Sequence, residues 1–116
     1  AGAAEAFREP PRPEVVALWR DWEKRCEWVS SELNNIKGVS CHQPEGGFYA
    51  WADVSGIEAT SLEIAETLLR EHHVAVVPGS AFGQNGEGYI RITCVKSWED
   101  LKEGMQRIRK GLAKMQ

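Results

Sequence analysis

The sequence predicts an α/β layered domain in which helices cover a mixed sheet of three or four strands. Three observations carry that expectation. Segments 14–36 and 98–115 repeat their apolar residues at helical spacing, and segment 62–72 does so behind a capping box. Short runs rich in β-branched and aromatic residues lie between them. At 116 residues the chain has room for one core-bearing domain, and 42% hydrophobic with 27% charged residues is the composition of a chain that folds.

Residues 1–13 join an Ala-rich piece to Pro10, Pro11 and Pro13, which break helices and stiffen a connection. A linker stump is expected there, with the domain proper at 14–116. From 14 to 36, Val15, Trp19, Trp22, Cys26, Val29, Leu33 and Ile36 form one stripe, ended by Lys37 and Gly38 as a cation and a C-cap glycine should end it. The same spacing fits a coiled-coil seam, although bulky indoles suit an asymmetric packing better. Residues 39–43 supply the optional fourth strand. Gly46-Gly47 then leads into the alternating run 48–54, a strand.

Thr60-Ser61-Leu62-Glu63 reads as a capping box with Thr60 as N-cap, opening a helix whose inner face is Leu62, Ala65, Leu68, Leu69 and His72. Residues 74–77 form a short buried strand stopped by Pro78-Gly79. The stretch 79–88 holds four glycines in ten positions, too many for a core element and too long for a tight hairpin. Residues 89–95 are the next strand. Ser97 then caps a final helix with Trp98, Leu101, Met105, Ile108, Leu112 and Met115 on one stripe.

Charge and cysteine usage exclude several classes of function. The formal net charge is −3. Lys102, Arg107, Arg109, Lys110 and Lys114 are mixed with acids on the last helix, which describes a solvated face rather than a nucleic-acid stripe. Cys26, Cys41 and Cys94 are odd in number and far apart, so neither a disulfide framework nor a zinc site is expected, and all three read as small core residues. With no apolar run of membrane length and no leader-like opening, a cytoplasmic location is expected.

One residue breaks the pattern. Period two puts Ile90, Ile92 and Cys94 on one strand face and Tyr89, Arg91 and Thr93 on the other. A guanidinium in mid-strand, flanked by isoleucines and next to a glycine-rich loop, is costly unless paired or used. An edge-strand charge facing water is the alternative, and the residues alone leave both readings open. His72-His73 closes a helix where a cation suits the dipole, with no metal-ligand partner at helical spacing, and His42 stands alone in a loop. Ser80 has no base at triad-like spacing, Asp53 and Glu87 form no evident acid/base pair, and the glycine loop matches no phosphate-binding motif.

The runs GVSCHQPEGGFYAWADV (38–54) and VAVVPGSAFGQNGEGYIRIT (74–93), with the helices around them, resemble the C-terminal small domain of class I/II, fold-type I, pyridoxal-phosphate-dependent aminotransferases. The similarity runs in order from about Pro13 to Leu112. It implies that Arg91 is the arginine that grips the α-carboxylate of the amino- or keto-acid substrate, a task suited to a planar fork of donors. It also implies a larger parent that transfers an amino group between an amino acid and a 2-keto acid and is a homodimer. That parent's missing large domain would supply the Schiff-base lysine and hold pyridoxal 5′-phosphate. No lysine here fits that role: Lys24, Lys102, Lys110 and Lys114 fall on polar helix faces, Lys37 ends a helix and Lys96 opens a turn. The expectation is therefore a domain that contributes Arg91 and is inactive alone. The alternative is a free-standing carboxylate-binding or interaction module that kept the fold and lost catalysis.

Overall fold

The structure, a computed structural model, describes residues 13–42 and 48–116. The expected linker stump up to Arg12 and the Gly46-Gly47 lead-in lie outside the described residues. Helix α1 (Pro13–Asn34) starts on Pro13 itself. A proline at the first helical position loses nothing, since that N–H has no intrahelical acceptor. Only the second half of the α1 stripe is used in the core: Cys26, Val29 and Leu33 are buried, whereas Val15 and Trp19, with Leu18 beside the stripe, are exposed. The helix ends at Asn34, short of the expected Ile36, so Gly38, at φ +82°, is not its C-cap and instead turns the link to the next strand.

Strand β1 (Ser40–Cys41) is the optional fourth strand, and it pairs with β2 (Tyr49–Asp53). On the far side of β1, the Asn34 amide donates to the Cys41 carbonyl at 2.6 Å and accepts from the Cys41 N–H at 2.8 Å. Helix α2 (Ser61–His72) is capped as expected, with Thr60 Oγ1 accepting from the Glu63 N–H at 3.1 Å. Its inner face differs from the expected one. Ser61, Ile64, Ala65 and Leu68 are buried, while Leu62 and Leu69 stand 51% and 56% exposed. Helix α3 (Trp98–Lys114) sets that rotation. A Cβ on Gly111 would come within 2.5 Å of Leu68 Cδ2, so α2 turns Leu68 into the space a glycine leaves.

Of the run 74–77, only Val77 enters the sheet, as part of β3 (Val77–Pro78). The residues before it close α2 instead: the Val74 N–H donates to the Leu68 carbonyl at 3.1 Å, behind His73 in the left-handed conformation. Two short 3₁₀ turns, Gly79–Phe82 and Gln84–Gly86, lead to β4 (Tyr89–Thr93). Ser97 caps α3 by accepting from the Asp100 N–H at 3.2 Å.

The strand order is β1-β2-β4-β3, and every described pairing is antiparallel, so the sheet is not mixed. The connection through α2 does lay β3 parallel to β2, but β4 inserts between them and opposes both. Helices cover one face, where Ala50, Ala52, Ile90, Ile92 and Cys94 join the core with residues of all three helices. The other face is open and carries Tyr49, Trp51, Asp53, Tyr89, Arg91 and Thr93. Cys26, Cys41 and Cys94 are buried core residues, as expected, and burial raises the pKa of each thiol. Among the described residues no helix is long and apolar enough to cross a membrane.

Candidate functional site

Arg91 sits at the centre of the open face. Its strand lies between β2 and β3, which rules out the edge-strand reading. Its cross-strand neighbours are Trp51 on β2 and Val77 on β3. The guanidinium carbon lies 4.3 Å from the ring centroid of Tyr49 and 4.8 Å from that of Phe82, within cation–π range of both. Phe82 in turn meets Trp51 edge to face, with centroids 5.1 Å apart and planes at 69°. Among the described residues Arg91 has no carboxylate partner and no hydrogen-bond acceptor. A half-buried cation is thus held by aromatic rings while its N–H donors stay unused.

The glycine loop places Phe82 by backbone crossing. A Cβ on Gly79 would stand 1.8 Å from the Gly86 carbonyl oxygen, and one on Gly86 would stand 2.1 Å from that of Gly79, so only glycines allow the two strands of the loop to touch. Ser61, fully buried at the start of α2, fastens the loop. Its N–H and hydroxyl donate to the Glu87 carboxylate at 2.9 and 2.8 Å, and its Oγ accepts from the Ser80 N–H at 3.3 Å. The bond from the Ser61 N–H, then the one from its hydroxyl, holds the Glu87 carboxyl below the usual range. Glu87 and Ser80 are therefore parts of a latch. Asp53 is likewise occupied locally, accepting from the Ser55 hydroxyl and N–H, which lower its pKa in that order.

The remaining candidates are dispersed. His73 takes the left-handed C-cap position, and its carbonyl accepts from Arg107 at 3.0 Å. His72 packs beside Gly111, and His42 is exposed after β1. Among the described residues no group of three or more His, Cys, Asp or Glu could hold a metal ion. On α3, Arg107 pairs with Glu103 and Arg109 with Glu32 of α1, as a solvated face would. All six lysines are described, and all are exposed on helix faces or in turns. An amine that forms an imine with pyridoxal phosphate needs a dry setting, and none of these six lysines has one.

Tyr49, Trp51 and Phe82 are site residues that the sequence reading passed over. The alternation of the run 48–54 places Tyr49 and Trp51 on one face, but the pairing of β2 with β4 is what brings that face to Arg91.

The domain is thus two-layered, with an open aromatic sheet face around an arginine that has no acid partner among the described residues. Residues 2–108 match the family model for aminotransferase class I and II, and the chain belongs to that family. It is 39% identical over 111 residues to the aromatic-amino-acid aminotransferase 2 of Thermococcus litoralis, covering 95% of this chain and 28% of that protein. The aromatic aminotransferase of Pyrococcus horikoshii superposes with a TM-score of 0.82 at 37% identity, over 87% of this chain and 27% of that one. An aminotransferase of Clostridium difficile, solved with pyridoxal phosphate bound, superposes at 0.75 with 26% identity, over 80% of this chain and 24% of the other. The chain thus spans about a quarter of the length of the curated relatives it matches.

Proposed function

We propose that this chain is the C-terminal small domain, residues 14–116, of a longer pyridoxal-phosphate-dependent aminotransferase, and that Arg91 binds the substrate carboxylate. Residues 1–13 join it to a large domain that holds the cofactor and its lysine, in an enzyme that is cytoplasmic and homodimeric. One observation carries the reading: a half-buried guanidinium, central in the sheet and seated on two rings, has no acid partner among the described residues. Such a group costs free energy to keep dry unless an anion arrives to use it. Carboxylates accept two parallel N–H bonds from a guanidinium, and both an amino acid and its 2-keto acid carry that group through the reaction. Arg91 therefore orients the substrate from a point that does not change while the rest of the molecule does.

The exposed Val15, Leu18 and Trp19 and the open sheet face are the surfaces on which the rest of the enzyme sits, leaving the 116-residue chain inactive by itself. In the full-length enzyme, Arg91→Ala is expected to lower kcat/KM at least about tenfold, and Arg91→Lys to recover only part of the loss, because a point charge does not replace a bidentate fork. An unchanged kcat/KM in Arg91→Ala would sink the assignment.

A further inference from the structure

We propose that Tyr49 and Phe82 are positioning residues that fix the plane of the Arg91 guanidinium and leave its N–H edge free for the carboxylate. This rests on the reading of Arg91 above. A guanidinium has two kinds of surface: faces, which attract aromatic rings, and an edge, which carries five donors. An acidic neighbour would hold Arg91 by consuming that edge. Rings hold it through the cation and consume no donor. The centroids of both rings are within 5 Å of the guanidinium carbon, so the cation is held from two sides with every N–H still unspent among the described residues.

The arrangement is built rather than incidental. Phe82 is delivered by the Gly79–Gly86 crossing, and the Glu87–Ser61–Ser80 latch ties that loop to α2. It then rests against Trp51, the cross-strand partner of Arg91, so that contacts run from Arg91 to Phe82 to Trp51 and back across the β2–β4 pairing. The Tyr49 hydroxyl has no hydrogen-bond partner among the described residues, so it is the ring of Tyr49 that matters. A long side chain on an open face would otherwise sample many rotamers, and binding would have to collect them into one.

The test is a variant series in the full-length enzyme, read as separate KM and kcat values for an amino-acid substrate. Phe82→Leu and Tyr49→Leu are expected to raise KM roughly three- to tenfold while kcat changes by less than about twofold. Phe82→Tyr and Tyr49→Phe, which keep a ring, are expected to stay near the parent value. A second readout uses the 116-residue chain and needs no activity. In its NMR spectrum the Arg91 δ-methylene protons should be shifted upfield by the rings, and each Leu variant should move them toward random-coil positions. Leu variants with unchanged KM, or with unmoved Arg91 resonances, overturn the clamp. If Arg91→Ala raises KM while the Leu variants do not, the clamp alone fails. If Arg91→Ala leaves KM and kcat unchanged, the carboxylate reading fails and takes the clamp with it.

Discussion

Two of the described arginines rest on pairs of aromatic rings, and their polar contacts differ. Arg25, on α1, lies 5.1 Å from the ring of Trp22 and 5.6 Å from that of Trp98, donates to the Lys96 carbonyl at 2.8 Å and pairs with Asp21 at 2.6 Å. It sews α1 to the link between β4 and α3. Arg91 has the rings and, among the described residues, none of the polar partners. Aromatic contact is thus compatible with either role, and the fate of the N–H edge separates a structural arginine from one kept for a ligand.

The largest effect on this contrast should come from the loop that carries Phe82. Gly79→Ala forces backbone against backbone, and a loss of about 3 kcal/mol or more is expected on denaturant unfolding, together with loss of the Phe82 contact at Arg91. Arg25→Ala should come next: removing its bonds to Lys96 and Asp21 is expected to cost about 1–2 kcal/mol, measured as a shift of the urea midpoint at constant slope. Arg91→Ala, with no such bonds among the described residues, should change the stability of the 116-residue chain by about 0.5 kcal/mol or less. Equal losses for the two arginines would erase the distinction drawn between them.

The smallest effect is a pH dependence of the latch. Hydrogen bonds from Ser61 favour the ionised Glu87, so its folded pKa lies below the ordinary 4.5. In that interval the unfolded chain binds more protons, so stability rises with pH. The contribution is whole above the ordinary carboxylate range and is lost as pH falls through the depressed folded value. Comparing acid-side melting curves of the parent and Glu87→Gln checks this, and the variant should show the shallower slope.

The sequence made the helices legible because their signals are local. Thr60 and Ser97 are caps whose bonds span three residues, and the α3 stripe from Leu101 to Leu112 needs no knowledge of its partner. The face of α2 was misread because two leucines outweighed Ser61 and Ile64, and only the close approach of Gly111 decides which side turns inward. Sheet direction was misread for a related reason: nothing local reports that β4 enters between β2 and β3. Arg91 stood out as a charge among isoleucines, but its aromatic seat is assembled by register and by a loop, both of which are long-range features. The polar work of Ser80 and Glu87 was legible only as the absence of a catalytic pattern, and Ser61 only as a member of the capping box.

The bond pair between the Asn34 amide and Cys41 has a consequence for how copies of this chain meet one another. A sheet invites growth wherever an outer strand presents a free row of N–H and C=O groups. On the β1 side, the Asn34 side chain already takes both groups of Cys41, as a one-residue strand would. On the β3 side, Pro78 has no N–H to offer, and β3 is only two residues long. Strand-by-strand polymerisation is therefore blunted at both ends, even in the 116-residue chain by itself, whose aromatic face is bare.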